Sequence, residues 1–562
     1  MKRQTLLFAP LALLLLFLVA CSNTSNIPVP ADAAFVIHVN GASLQSKLSW
    51  DEIKQSDWFR IANEKTKDSL ARTVLNDPDA SGIDTKGDMY IFFKNRGRGG
   101  YGAVVGNVKE EKAFAAFMEK SMEGKKASSE KGLSVIRNEK SVLTWKEKRF
   151  VFVFDNPEMN SNAAMMGGQQ QDTGDRSFSS DSLLYFASEI YGIKGKSSVG
   201  SNSRFSGMMK EKGDVHFWFN ASGMYGGAMP AMLALTKVNL LLKDNVTAAT
   251  LNFDNGKITV DAKSYYNKEL EALYKKYKPN NIDDAIYKKI PSQNVAALVA
   301  MTYPPEGLKE FITLLGADGL VNMMLAQETF TLNDFIKANK GDLLIAVTDF
   351  GMRTDTMRME GLPEGMQMPA RHKADAKFLF AVSVNDKEAF NKMINLVQGK
   401  ISKGGDQMTA MMNHIPYQLK DNWFVAGNDS VAVNAFGNTA TEQSFISKIS
   451  GHPMAGFIDI QKFISGARPS MDSTAAFIAD QALKTWQDMI FYGGEFRDNA
   501  ALSHLEINMV DKNTNSLKQL NSFLGVVAKT MDEKEKLREQ RYQDLYENKV
   551  DTTAVPPSPN NP

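Results

Sequence analysis

The feature that most constrains this chain is that the same blocks of sequence occur twice, in one order, in its two halves. Lys86-Gly87-Asp88 introduces the apolar run Met89–Phe93, and Lys340-Gly341-Asp342 introduces Leu343–Val347. Phe380–Phe390 (FAVSVNDKEAF) repeats Val104–Phe114 (VVGNVKEEKAF), with Val384, Ala389 and Phe390 falling on Val108, Ala113 and Phe114. Ile290-Pro291 with Val295–Met301 echoes Ile27-Pro28 with Ala33–Val39, Phe457–Phe463 answers Val215–Asn220, and Leu502–Val510 answers Ala248–Phe253. Ordered self-similarity of this kind is the signature of a duplicated supersecondary unit. At 562 residues the chain also exceeds what one hydrophobic core usually organises. The expected division is a first α+β repeat over residues 31–278 and a second over 290–530, with the helix-breaking Pro279-Asn280-Asn281 between them.

Periodicity sets the fold class of each repeat. Ala33–Asn40 alternates as a strand and ends at Asn40-Gly41, and Leu44–Asn63 follows with helical spacing of Leu48, Ile53, Trp58, Phe59 and Ile61. Met89–Phe93 and Gly102–Val108 read as strands, Glu110–Met122 as a helix, and Leu133–Ile136, Ser141–Trp145 and Arg149–Phe154 as further short strands. Strands joined by so few residues pair antiparallel. The expected fold is α+β: two tandem similar units, each a mostly antiparallel sheet with helices packed on one face.

Two segments, Met159–Ser182 and Phe350–Ala376, are rich in Met, Gly, Gln, Ser and Arg without periodicity and read as long loops. Their methionines keep no regular spacing, which favours adaptable apolar contact over a thioether metal site. Residues 531–562 read as a charged helix, Met531–Asn548, running into a Pro-rich disordered tail.

The N-terminus carries an address. Met1-Lys2-Arg3 is a positive n-region, Leu6–Val19 an apolar stretch too short to span a bilayer comfortably, and Leu18-Val19-Ala20-Cys21 resembles the lipobox of bacterial lipoproteins. Residues 1–20 are therefore expected to be a lipoprotein signal peptide, Cys21 the lipidated residue, and 21–30 a tether. Cys21 is the chain's one cysteine, so neither a disulfide framework nor a thiolate metal cluster competes for it. Ser22, and the lack of an acidic cluster after Cys21, favour an outer-membrane anchor facing the periplasm, with the cell surface as the alternative. Lys and Arg total 65 against 64 Asp and Glu, so no global field draws the chain to nucleic acid. The expected partners are the membrane, through the anchor, and an envelope protein or glycan.

Ile27-Pro28, Asp32-Ala33-Ala34-Phe35-Val36, Asn40-Gly41 and Ser49-Trp50-Asp51-Glu52-Ile53 resemble the opening of a Bacteroidota lipoprotein family known as domain-of-unknown-function family 4836. The resemblance implies a bacterial envelope protein over nearly all of the mature chain. It offers no catalytic residues.

No motif for catalysis, a cofactor or a metal stands out. The sequence has no HExxH, no GxSxG and no phosphate-cradling loop before a helix, so catalytic, cofactor and metal residues are all expected to be none. Of the six histidines, His38, His216 and His504 read as strand residues on half-polar faces, and His372, His414 and His452 as loop residues. Asn95–Gly100 reads as a hairpin loop. Asp followed by Ser or Thr and then an aliphatic residue, Met or Thr resembles the acceptor pattern of Bacteroidota O-glycosylation, at Ser69, Ser182, Thr356, Ser430, Ser473 and Thr552. The same pairs suit turns and helix caps, and sequence leaves both readings open. A binding or scaffolding lipoprotein is the expectation; the alternative is a periplasmic hydrolase whose site assembles only in the fold.

Overall fold

In a computed structural model the described residues are 26–66, 69–97, 99–122, 124–156, 177–224, 237–326, 330–355, 371–403, 415–438 and 441–550. The signal peptide, Cys21 and the Pro-rich tail lie outside them. The chain forms two compact units, one made of residues 1–39, 88–212 and 216–227, the other of 40–87, 213–215 and 228–562.

The first unit is built on β1 (Phe35–Asn40), β2 (Asp88–Arg96), β3 (Gly99–Asn107), β4 (Ser128–Glu130), β5 (Leu133–Arg137), β6 (Ser141–Lys146), β7 (Arg149–Asp155) and β8 (Val215–Asn220). Their order across the sheet is β8-β1-β2-β3-β7-β6-β5-β4. Strict alternation sends Val36, Phe92, Ala103, Val105, Val151, Val153 and Trp218 to one face, all buried. The Ser180–Tyr191 helix covers that face, with Phe186 stacked on Tyr101 at 4.8 Å between ring centres. On the other face Phe114, from the Glu111–Ser121 helix, packs against Trp145 and Phe150. Phe150 and Phe154 lie across Gly106 and Gly102 of β3, where any Cβ would enter the rings.

The second unit contains β9 (Val246–Asp254), β10 (Lys257–Tyr265), β11 (Val295–Thr302), β12 (Asn339–Asp355), β13 (Arg371–Val384), β14 (Tyr417–Lys420), β15 (Trp423–Gly427), β16 (Met454–Asp459), β17 (Trp486–Arg497) and β18 (Ala500–Met509). All pairs are antiparallel, in the order β9-β10-β18-β17-β16-β11-β12-β13-β15-β14. Neighbouring residues on one strand enter different cores. Leu344 packs with Leu298, Phe457 and Ile490 against Tyr287, Val433, Phe436 and Phe445, whereas Leu343 packs with Val382, Val384 and Phe390. Helical segments thus cover both faces, not one, because these strands are apolar at both alternations. The Asp57–Lys65 helix docks on the long Ser516–Val550 helix: Trp58 Nε1 donates to Asn521 Oδ1 at 2.7 Å, and Lys65 pairs with Asp532 and Glu535. Buried Asp214 accepts from the Ser43 hydroxyl, the Lys47 ammonium and the Phe253 N–H, each at 2.6 Å.

Three local readings are corrected. The helical stretch 44–63 is three helices, Gly41–Lys47, Trp50–Lys54 and Asp57–Lys65, because Ser49 starts a new one through a capping box with Glu52 and Ser56 begins the next. The 350–376 loop is shorter than expected: β12 continues to Asp355 and β13 begins at Arg371, their polar ends held by ladder pairs such as Met352↔Ala374 and Thr354↔His372. His372 is therefore a strand residue. Within 159–182, Ser180–Ser182 form the first turn of a helix capped by Ser179, and 159–176 lie outside the described residues. Towards the C-terminus one long helix spans Ser516–Val550.

Candidate binding site

A row of polar side chains crosses five adjacent strands at one end of the first unit's helix-covered face. Its members are His216 on β8, His38 on β1, Asp88 on β2, Asn107 on β3 and Arg149 on β7. Asn107 is paired with Arg149, and the register Tyr90↔Val105 carried two residues further sets Asp88 opposite Asn107. In-register neighbours on adjacent strands share a face, which aligns the row.

Hydrogen-bond geometry fixes the protons at the histidine end. His216 Nε2 lies 3.2 Å from the Glu211 carbonyl, which only accepts, so this nitrogen carries the hydrogen. His216 Nδ1 is then the acceptor for His38 Nδ1–H at 3.0 Å. That leaves His38 Nε2 facing Asp88 Oδ1 at 3.1 Å with one proton between them. The hydrogen bond from His38 holds the Asp88 carboxyl below its ordinary range. Burial, then the neighbouring His38 charge, pushes the His216 imidazole down, consistent with its neutral form. His38 and His216 are 3% and 2% exposed, which corrects their reading as residues of a half-polar face. Tyr90 closes over His38 at 4.9 Å, and burial raises its phenol.

Asp88, Tyr90, Asn107 and Arg149 line a cavity of about 200 Å³, whose remaining walls include Asn26, Ile27 and Pro28. The N-terminal segment is fastened there: the Ser198 hydroxyl donates to the Ile27 carbonyl at 2.7 Å and Val199 N–H to the Val29 carbonyl at 2.9 Å. Ile27 and Val29 are buried. A second cavity, about 370 Å³, takes Pro30, Ala31 and Asp32 as walls with Lys94, Arg96, Tyr101 and Glu189. Its charges are matched internally, Lys94 to Asp32 at 2.6 Å and Arg96 to Glu189 at 3.1 Å. In the first cavity the Asp88 side chain is 57% exposed beyond its bond to His38, and Arg149 has no carboxylate partner among the described residues.

The second unit holds a different polar cluster. Tyr492 lies between His452, at 3.9 Å, and His504, at 4.8 Å. His504 Nδ1 is 2.8 Å from Asp261 Oδ1, Glu506 pairs with Lys257 at 2.6 Å, and His452 Nδ1 is 2.6 Å from Glu495. The hydrogen bond to Asp261, then the Glu506 carboxylate 3.9 Å away, pushes His504 up to about 9, and the nearby His504 contributes most to bringing Glu506 down to about 2. Among the described residues no set of three or more His, Cys, Asp and Glu is gathered to hold a metal ion. No described helix is long and apolar enough to cross a membrane.

Of the Asp-Ser and Asp-Thr positions, Ser430 and Ser473 are exposed first residues of helices capped by Asp429 and Asp472, whose carboxylates accept from Ala432 N–H and Ala475 N–H. Ser182 is the third residue of its helix, and its N–H donates to the Ser179 hydroxyl. Ser69 opens the Ser69–Asn76 helix, while Cys21, Thr356, Thr552 and His414 lie outside the described residues. The row from His216 to Arg149 was not singled out from sequence. Its one legible trace is the Asp of the repeated Lys-Gly-Asp.

These features define a mixed α and β protein with a large antiparallel sheet, many helices and a small charged cavity beside its N-terminal segment. The chain belongs to the family described as domain of unknown function (DUF4836), which matches residues 25–421. No curated protein matches it. Among solved structures it is similar to crystal form I of TP0453, with a TM-score of 0.24 and 11% identity over 44% of this chain and 81% of that one. Crystal form III of TP0453 aligns with a TM-score of 0.24 and 9% identity, over 45% of this chain and 88% of that one. Likeness at this level does not define a shared fold.

Proposed function

We propose that this chain is a lipid-anchored protein of the bacterial cell envelope that binds or scaffolds, with Cys21 as its acylated first mature residue. The observation that carries the reading is the position of the N-terminal segment. Residues 26–32 form walls of both cavities of the first unit, and Cys21 precedes Asn26 by five residues, which span at most about 18 Å. An acyl chain on Cys21 would hold the cavity end of the unit against the bilayer surface, on the periplasmic face of the outer membrane. What supports binding over hydrolysis is that every ring nitrogen of His38 and His216 is already engaged, and that among the described residues the walls of the charged cavity include no Ser, Thr, Cys or Lys.

The same reading includes a tandem duplication over residues 31–278 and 290–530. Its support is that β8-β1-β2-β3-β7 in one unit and β16-β11-β12-β13-β15 in the other run through one order of connections. Exposed Ser430 and Ser473 are the acceptors best placed for O-linked glycan, and intact-mass spectrometry of their peptides tests that modification.

The anchor is tested by growing cells with a labelled fatty acid. The wild type should carry label and begin at Cys21, whereas Cys21→Ser should carry none and retain residues 1–20. Normal processing of Cys21→Ser, with continued partition into the membrane, would sink the reading. Stable anchoring generally needs two or more acyl chains, so loss of the thiol should release any processed protein.

A further inference from the structure

The charged cavity of the first unit has one negative and one positive wall, and neither charge is used up by the fold. Asp88 Oδ1 accepts from His38 Nε2, and more than half of the Asp88 side chain remains exposed. Arg149 stands two strands away on the same face, with no carboxylate partner among the described residues, and uncharged Asn107 lies between them. Adjacent strands lie about 4.8 Å apart, so the two backbones are separated by about 10 Å. Both side chains line the same cavity. A ligand completing the site therefore needs a cationic donor at one end and an anion at the other, with a short linker.

The cavity is small and has an apolar rim. Its volume of about 200 Å³ falls below the roughly 300–1,000 Å³ of sites for drug-sized ligands, and Ile27, Pro28 and Val105 supply the apolar wall. The guanidinium fork of Arg149 suits a phosphate in bidentate geometry, and a lone carboxylate oxygen suits a primary ammonium with its three N–H donors. Resting on the lipid-anchor reading, we propose that this cavity binds an ethanolamine-phosphate group, with the ammonium on Asp88 and the phosphate on Arg149, and that its source is the headgroup of phosphatidylethanolamine. The hydrogen bond from His38 Nε2 to Asp88 Oδ1 at 3.1 Å keeps the Asp88 carboxylate aimed. His38 is a positioning residue. The short stretch from Asn26 back to Cys21 limits how far the cavity stands from the bilayer that supplies the headgroup.

The test is a calorimetric titration of the full mature chain in detergent with soluble phosphoethanolamine, inorganic phosphate and ethanolamine. Phosphoethanolamine should bind more tightly than either half. Arg149→Gln and Asp88→Asn should each weaken it by about tenfold, the range of one charge-assisted hydrogen bond. Asparagine keeps an Oδ1 acceptor for His38, and Arg149 has no carboxylate partner among the described residues, so both variants should fold; thermal melting verifies that. Inorganic phosphate should lose affinity in Arg149→Gln and keep it in Asp88→Asn. No binding of phosphoethanolamine up to roughly 10 mM overturns the site. Equal affinity for phosphate and phosphoethanolamine, with no effect of Asp88→Asn, overturns the two-ended recognition. Nanodiscs containing phosphatidylethanolamine should displace soluble phosphoethanolamine where nanodiscs of phosphatidylcholine or phosphatidylglycerol do not, and failure to displace it overturns the headgroup as source. Fatty-acid labelling reads the anchor independently: a labelled protein that ignores phosphoethanolamine loses the site alone, and an unlabelled one that binds it loses the anchor alone.

Discussion

The polar row of the first unit and the strand ends beside Lys340-Gly341-Asp342 in the second differ in almost every side chain. Both lie at the strand ends next to a Lys-Gly-Asp, on five strands met in the same order. The first unit holds His216, His38, Asp88, Asn107 and Arg149; in the second, Thr302 stands opposite Asp342 and Ser383 opposite Trp423, with Ala300 paired to Ala455 two residues further along β11. Ala300 and Ala455 are fully buried, and their small side chains let the surrounding core close. Asp342 uses its backbone N–H, donating to the Ser383 hydroxyl at 2.9 Å, where Asp88 uses its carboxylate. The second unit thus carries an apolar seam of buried alanines and the first a charged, cavity-lining relay. Strand order does not dictate chemistry; the residues at a handful of aligned positions do.

Making the seam resemble the relay should cost most. Ala300→His places an imidazole against Ala455 with no hydrogen-bond partner and no room, and should lower stability by about 4 kcal/mol in urea unfolding. A loss under about 1 kcal/mol would mean that the second unit accommodates a histidine row, and the contrast would fail. The converse change, His38→Ala, leaves His216 Nδ1 and Asp88 without their shared partner. It should cost about 3 kcal/mol, measured the same way, and Asp88→Asn should cost less because Oδ1 remains.

The units should also differ in how they respond to pH. His504, whose folded value of about 9 lies above the unfolded value, contributes stability that is complete below about pH 6.5 and disappears as pH rises towards 9. Asp88 and His216 act in the other direction. With folded values lowered, they contribute stability at neutral pH that is lost as pH falls, through the His216 range first and the Asp88 range below it. Melting temperatures of His504→Asn should therefore drop at pH 6 and approach wild type above pH 9. A uniform drop at every pH would assign His504 a packing role only.

The smallest effects should not distinguish the regions at all. Ser179 caps a helix of the first unit and Asp429 one of the second, each through a single backbone N–H. Ser179→Ala and Asp429→Ala should each cost about 1 kcal/mol, and a difference well beyond that between them would show that the surroundings, not the caps, set the cost.

Local chemistry was legible before any fold was known. The Asp-Ser pairs at 429 and 472 are helix starts, Asn40-Gly41 ends a strand and begins a helix, and the alternation of Val36, His38 and Asn40 marks a strand. The Ser49 capping box is written in the sequence as Ser-Trp-Asp-Glu, yet the apolar spacing of Leu48, Ile53 and Phe59 runs through it like one helix. Polar strand ends such as Arg353–Asp355 were not legible, because their stability comes from ladder bonds to a partner strand and not from their own apolar pattern. Even the repeated Lys-Gly-Asp conceals a difference. Gly341 sits at φ +107°, with the Tyr303 carbonyl where a Cβ would be, whereas Gly87 is not among the glycines in that region.

The sequence by itself determined the family, the strands and helices with strong periodicity, and the caps. Only the tertiary structure decided that His38 meets His216, 178 residues away, and that Asp88, Asn107 and Arg149 form one row. The reason is physical. A period of two tells which face of a strand a side chain occupies, but the register that chooses its neighbour is settled by long-range pairing and by the burial of whole faces, which no local stretch of sequence encodes.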